Sequence, residues 1–252
     1  MKNTRPSASL HSRLFVVALV LLTACAKSEA PKRTATPLDL STVGSISGRV
    51  RFEGAVPEPR TIQLRGFAEC QAQHSSPLLA DDVLVKDGNL ENVLVYIKSG
   101  LGDRVFAAPD ATVVIDQRGC VFVPRVAGAQ TGQPVQFLNA DPLAHNVHGL
   151  PKQSSAWNFN LGVKGASRSI TIDKPENVIE LRCDIHPWMS AYLGVFDHPY
   201  FAVTDAQGHF ELRDLPPGEY VVEAWHERFG TRTVNVTVAP KETKEVSFSF
   251  AG

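Results

Sequence analysis

The sequence predicts an all-β chain, and three observations carry that prediction. Short runs of β-branched and aromatic residues recur along its length, Gly and Pro punctuate them, and no stretch sustains the periodicity of a long helix. In order, the predicted strands are ISGRVRF (46–52), NVLVYIK (92–98), TVVID (112–116), PVQFLN (134–139), RSITI (168–172), NVIELR (177–182) and AYLGVF (191–196). HFELR (209–213), EYVVEAW (219–225), TRTVNVTV (231–238) and EVSFSF (245–250) follow with alternating patterns. Many short strands at this spacing predict β-sandwiches, and the length after residue 24 suits two of them at roughly 100 residues each.

The N-terminal segment stands apart from this pattern. Lys2, Arg5 and Arg13 precede the apolar run Leu14 to Leu22, which is too short to span a bilayer and suits the core of a secretory signal. Leu22-Thr-Ala-Cys25 resembles the lipobox of bacterial lipoproteins. The resemblance implies a signal peptide over 1–24, lipid on Cys25, and anchorage in the bacterial cell envelope, facing the periplasm or the cell surface. Ala26 after the lipidated Cys25 leans towards the outer membrane. Residues 25–44, rich in Ala, Pro, Thr and Ser without apolar periodicity, read as a flexible tether. Loss of residues 1–24 leaves 22 Lys and Arg against 26 Asp and Glu, a formal charge of −4. With no basic tract present, nucleic acid is not an expected partner.

Thr204 to Trp225, TDAQGHFELRDLPPGEYVVEAW, resembles the carboxypeptidase regulatory-like module, a transthyretin-like β-sandwich. Asp-Ala-Gln-Gly and Pro-Pro-Gly form its turns, and the alternating runs between them turn one face inward. Such a module opens with strands like SISGRVRF and NVLVYIK, which here lie before residue 100. The resemblance therefore implies one sandwich built from residues 45–104 and 199–252, with a second domain, 105–198, inserted in or adjacent to it. Simple tandem domains remain the competing arrangement. A long excursion, Glu53 to Glu91, departs from the module and contains Cys70 and His74.

Of the four cysteines, Cys25 is taken by the lipid reading, leaving Cys70, Cys120 and Cys183 in an oxidising compartment. Cys70 and Cys120 are a candidate disulfide that frees Cys183 for other chemistry, with other pairings open. Arg182-Cys-Asp-Ile-His-Pro-Trp-Met-Ser190 then places Cys183, His186 and Met189 three residues apart, and Met189 is the sole methionine besides Met1. A thiolate, an imidazole and a thioether are soft to borderline donors that suit copper, and one further His would complete a His2Cys set with Met as a weak axial ligand. Zinc is served poorly by a thioether. A second segment, NADPLAHNVHG (139–149), follows a predicted strand and supplies histidines.

CDIHPWM has the Cys-x2-His-x2-Met spacing of amicyanin-like cupredoxins, the blue copper proteins, and HNVH resembles the segment bearing their first His ligand. The resemblance covers residues 105–198. It implies a Greek-key cupredoxin sandwich holding one type 1 copper on His145, Cys183, His186 and Met189. It further implies that Asn146 ties the two ligand loops, with Pro187 beside the ligands, and that His148 is not a ligand. Four filled ligand positions leave none for a substrate, so no enzymatic activity is expected and outer-sphere electron transfer is. The outer ring edge of His186, with Trp188, is expected to lie at an apolar surface and serve as the electron entry. Unidentified redox donors and acceptors are the expected partners. Copper delivery at the cell surface is the alternative, although one Met and no His run speak against it. A non-redox structural or carbohydrate-binding lipoprotein is the third reading, suggested by Trp157, Phe159, Trp225 and Phe229. Leu150 to Gly165 has no placed counterpart and is expected to cover the copper end or dock a partner.

Overall fold

The computed structural model describes residues 1–3 and 34–252. The expected lipidation site Cys25 and nearly all of the expected signal peptide lie outside the described residues. Among the described residues the chain begins with β1 (Gly44–Glu53), the one-turn helix α1 (Ala68–Gln71), β2 (Val85–Lys86), β3 (Asn89–Leu90) and β4 (Leu94–Ser99). Next come β5 (Val113–Arg118), β6 (Val121–Val123), β7 (Val126–Gln130), β8 (Val135–Asn139), β9 (His145–Leu150), β10 (Trp157–Leu161) and β11 (Ser167–Ile170). The rest are β12 (Glu176–Arg182), β13 (Ser190–Phe196), β14 (Phe201–Val203), β15 (His209–Leu215), β16 (Gly218–His226), β17 (Gly230–Val238) and β18 (Thr243–Ala251). The protein is all-β.

Among the described residues, four sheets enclose two cores. One sheet has the order β15-β1-β3-β2 with β18 also paired to β1, and it faces a sheet of order β14-β4-β16-β17. Ile46, Val50 and Phe52 of β1 and Val246, Phe248 and Phe250 of β18 point inward at every second position, as a half-buried strand requires. β1 and β18 run parallel from Ser45↔Thr243 to Glu53↔Ala251, so the two ends of the described fold close one sandwich. Gly48 makes that approach possible, because a Cβ there would lie 1.7 Å from the Val246 carbonyl oxygen. The strands before and after residues 105–198 thus share one core.

The second sandwich pairs the sheets β10-β9-β12-β13-β7 and β11-β8-β5-β6. β13 runs parallel to β7, and β5 parallel to β8. Ile115, Phe137, Val147, Ile179, Leu181 and Leu193 fill its core, each removed from water and worth about 1.5–3 kcal/mol in transfer free energy. A third apolar cluster, Leu94 and Tyr96 against Val126 and Phe196, joins the sandwiches. At the same junction Arg125 pairs with Glu227 through both Nε and Nη2, and with Asp81 through Nη1 at 2.6 Å. Burial opposes the charge on Arg125, but Glu227 and Asp81 more than offset it and hold the guanidinium protonated.

Part of the 45–104 stretch leaves the first sandwich, in contrast to the expected boundary. Residues 60–80 form an arm closed by Ile62 N–H to the Leu78 carbonyl and Ala80 N–H to the Arg60 carbonyl, both 2.8 Å, with α1 near its tip. Leu64 and Cys70 of this arm lie in the second core. The reason is covalent: Cys70 and Cys120 form a disulfide. The described end of the expected tether is also held, by Thr36 N–H on the Val105 carbonyl at 2.8 Å.

Leu150 to Gly165 borders the start of β9, where Leu161 pairs with His145 and Asn158 hydrogen-bonds Asn146 and Asp184. It folds as β10 along β9, with Trp157 opposite Gly149, where a Cβ would lie 2.1 Å from the indole.

Candidate metal centre

Two segments deliver the donors. The turn after β8 is fixed by Asn139, whose Nδ2 donates to the Leu143 and Leu161 carbonyls and whose Oδ1 accepts from Asp141 N–H. This sets His145 as the first residue of β9. Gln117 Nε2 holds the next residue through the Asn146 carbonyl at 2.9 Å. The other segment leaves β12 at Cys183 and returns in β13. It is closed by Cys183 N–H to the Met189 carbonyl at 3.1 Å and Met189 N–H to the His186 carbonyl at 2.9 Å. Asn146 links the two segments: its Oδ1 accepts from Asp184 N–H at 2.6 Å, and its Nδ2 donates to Asp184 Oδ2 at 2.9 Å.

The donor atoms converge in the core. His145 Nδ1 lies 3.0 Å from His186 Nδ1, and Cys183 Sγ lies 4.0 Å from the first and 3.6 Å from the second. A planar three-ligand site with metal–nitrogen and metal–sulfur bonds of about 2.0–2.3 Å has edges of roughly 3.5–3.8 Å. The observed triangle brackets those lengths, so the residues present fit a metal ion. Met189 is buried in the same core beside Cys183. His148 stands apart on the surface, with Nδ1 3.0 Å from Asp184 Oδ1.

The surroundings favour deprotonated sulfur and an oriented imidazole. Burial alone would raise the Cys183 thiol, but His145 and the backbone N–H groups of Asn146, His186 and Ile185 draw it below its ordinary value. Burial likewise opposes a charged His145, yet Asp141 and Cys183 lift it to about 9. His186 is pushed down to about 4 by burial and by the neighbouring His145.

Asp141 is absent from the sequence-derived site and belongs to its structure. Its Oδ2 accepts His145 Nε2–H at 2.9 Å and Cys120 N–H at 2.8 Å, while Oδ1 accepts Gly119 N–H at 2.7 Å. Burial opposes its charge, but these donors hold its carboxyl below the usual range. A carboxylate that only accepts keeps one proton of His145 on Nε2 and aims Nδ1 at the cluster, where a metal ion would take the place of its second proton. Its position four residues before His145 was the available sequence signal.

The ring of His186 is not at the surface, where its outer edge was expected. It is only 2% exposed. Phe67 of the arm lies 5.2 Å from it between ring centroids, and Trp188 lies 5.3 Å away. Pro187 is exposed and Trp188 half-buried, with its Nε1–H on the Cys120 carbonyl at 2.9 Å. His74, whose Nε2 lies 2.9 Å from the Gly119 carbonyl, and Gln73, whose Nε2 approaches Cys120 Sγ at 3.6 Å, fasten the arm to the same turn. His198 and His226 are buried at the sandwich junction, away from this cluster.

No curated protein matches the sequence. Among solved structures, the chain is similar to a copper-containing nitrite reductase from Thermus scotoductus SA-01, with 25% identity over 38% of this chain and a TM-score of 0.32. It spans 24% of that reductase's length. An oxidised amicyanin variant matches with 21% identity over 40% of this chain and 97% of its own, at a TM-score of 0.31. A purple cupredoxin from Nitrosopumilus maritimus matches with 20% identity over 34% of this chain and 99% of its own, at a TM-score of 0.29. Residues 194–251 match the carboxypeptidase regulatory-like domain family.

Proposed function

We propose that this chain is a lipid-anchored type 1 copper protein that carries single electrons between redox partners. The observation that carries the proposal is the buried triangle of His145 Nδ1, His186 Nδ1 and Cys183 Sγ. It gives one thiolate and two imidazoles to one ion, with Met189 alongside, a donor set suited to copper cycling between +1 and +2. When bound, copper supplies one-electron redox chemistry.

The chain's own residues do the rest. Asp141 orients His145, and Asn146 clamps the two ligand segments across Asp184. The apolar core around Cys183 keeps water from the sulfur and holds the donors in one arrangement, which limits rearrangement on electron transfer. The burial of all three donors supports transfer without substrate binding. Lipid on Cys25 would keep the protein at the envelope surface, with the regulatory-like sandwich as its platform.

The test uses the soluble form from about Ala26 onward, loaded with Cu(II). An intense thiolate-to-copper visible band with a narrow copper hyperfine splitting, both lost in Cys183→Ser, is the expected result. A colourless protein with ordinary Cu(II) signals would overturn the proposal.

A further inference from the structure

Three supports of the candidate metal centre reach it from outside the two ligand segments, and all of them run through Cys120. Its N–H binds Asp141, which orients His145. Its carbonyl accepts the Trp188 indole N–H. Its sulfur is bonded to Cys70, on the arm that carries Phe67. Gly119 and Cys120 both adopt left-handed backbone conformations, φ 65° and 57°, which turn these groups in three directions.

Phe67 contacts both residues that a redox partner would otherwise meet. Its ring stands edge-on to Trp188 at 5.2 Å or less from either neighbour: 4.8 Å from Trp188 with an interplanar angle of 85°, and 5.2 Å from His186. The arm beneath it cannot drift freely, since the disulfide, His74 and Gln73 pin it within four residues of one another in sequence. The result is a cover over His186 made of the Phe67 ring and, beneath it, the Cys70–Cys120 disulfide, whose sulfurs lie within 4.8 Å of a ring nitrogen of His186.

We propose that Phe67 sets access to the metal centre, so that a redox partner meets the rings of Phe67 and Trp188 instead of the edge of His186. This rests on the electron-carrier reading for its functional meaning, but the covering itself belongs to the protein without metal. Electron transfer weakens steeply with distance, so one interposed ring layer slows exchange with any reagent that only collides with the surface. A partner shaped to the Phe67–Trp188 surface can still make close contact. The cover thereby discriminates between partners.

The experiment compares the wild type with Phe67→Ala, which opens the cover, and Phe67→Leu, which keeps an apolar side chain there. First, the metal-free proteins are treated with a histidine-carbethoxylating reagent, and modification of His186 is followed by peptide mass spectrometry against exposed His209 as internal reference. Modification of a covered ring waits on local opening, so wild-type His186 should react roughly tenfold or more slowly than His209, and Phe67→Ala should remove most of that lag. Phe67→Leu should stay near the wild type. Second, the copper(I) proteins are oxidised by ferricyanide, and Phe67→Ala should react faster with its visible spectrum unchanged. Wild-type His186 reacting as fast as His209, or identical labelling in all three proteins, would overturn the proposal. Labelling as expected with no change in oxidation rate would overturn its functional half. A wild type without the blue band would sink the electron-carrier reading instead, and the labelling would still decide whether Phe67 is the cover.

Discussion

Asp141 Oδ2 accepts the Nε2 proton of His145 at 2.9 Å, four residues along the chain, and both side chains are fully buried. The same carboxylate takes the N–H groups of Gly119 and Cys120. Asp141→Ala should therefore act twice. Losing the residue that orients His145 should weaken copper binding about 10–100-fold. Leaving the buried Cys120 N–H without an acceptor should cost about 1–3 kcal/mol. Chelator competition and denaturant unfolding measure the two effects separately. Unchanged copper affinity in a destabilised protein would show Asp141 to be structural only.

How much of this was readable beforehand depends on the range of the interaction. Strands such as β1, β16 and β18 announce themselves by alternation, which is local, and the 183–189 donors stand at a fixed short spacing. β10 carries the same alternation in Trp157, Phe159 and Leu161, but nothing local reveals that it pairs with β9 and sets Leu161 opposite His145. The arm is harder still. Its attachment is a bond between residues 50 apart, and Phe67 gains its role only through that bond. Asp141 is one of 26 acidic residues, and beyond its place four residues before His145 it is distinguished only by what folds against it.

Met189 can be a ligand or a core filler, and one substitution separates the two. Met189→Leu nearly conserves volume, so as a packing change it should cost less than about 1.5 kcal/mol. If the thioether is the weak axial donor, its loss destabilises copper(II) more than copper(I), and the reduction potential should rise while the blue band persists. Voltammetry checks this. An unchanged potential would return Met189 to the core.

Arg125 ties residue 81, at the base of the arm, to Glu227 of the other sandwich, with only 11% of its side chain exposed. Arg125→Met leaves the 8%-exposed Glu227 carboxylate without its partner. The expected loss is about 3–5 kcal/mol, because a buried charge stripped of its counter-ion keeps its full desolvation cost. Replacing both, Arg125→Met with Glu227→Leu, should recover much of it. Equal losses in the single and double variants, measured by denaturant unfolding, would contradict this account.

His226 should make the junction acid-sensitive. Burial, and then the positive Arg125, lower it to about 4 in the folded state from an ordinary 6.5. The unfolded chain therefore binds a proton more readily than the folded one between these values. The contribution is fully present above pH 6.5 and is lost progressively as pH falls towards 4. His226→Phe preserves the stacking on Phe229, 4.7 Å away, and removes the titration. The wild type should lose more stability than this variant between pH 7 and 5, and parallel curves would exclude His226 as the source.

The Cys70–Cys120 bond closes a loop of 50 residues in sequence separation. Loop-closure entropy assigns such a cross-link about 4 kcal/mol, less whatever structure the reduced unfolded chain retains. Cys70→Ala with Cys120→Ala should therefore lower stability by up to that amount. It should also loosen the arm without removing any of the proposed ligands, since Cys183 is untouched. The two effects diverge on metal loading: the blue band should survive, while labelling of His186 should approach that seen in Phe67→Ala. Loss of the band at full folding would mean that the arm holds the donors in place as well as covering them. A protein as protected at His186 as the wild type would show that Phe67 reaches its position by packing alone, with the disulfide adding only stability.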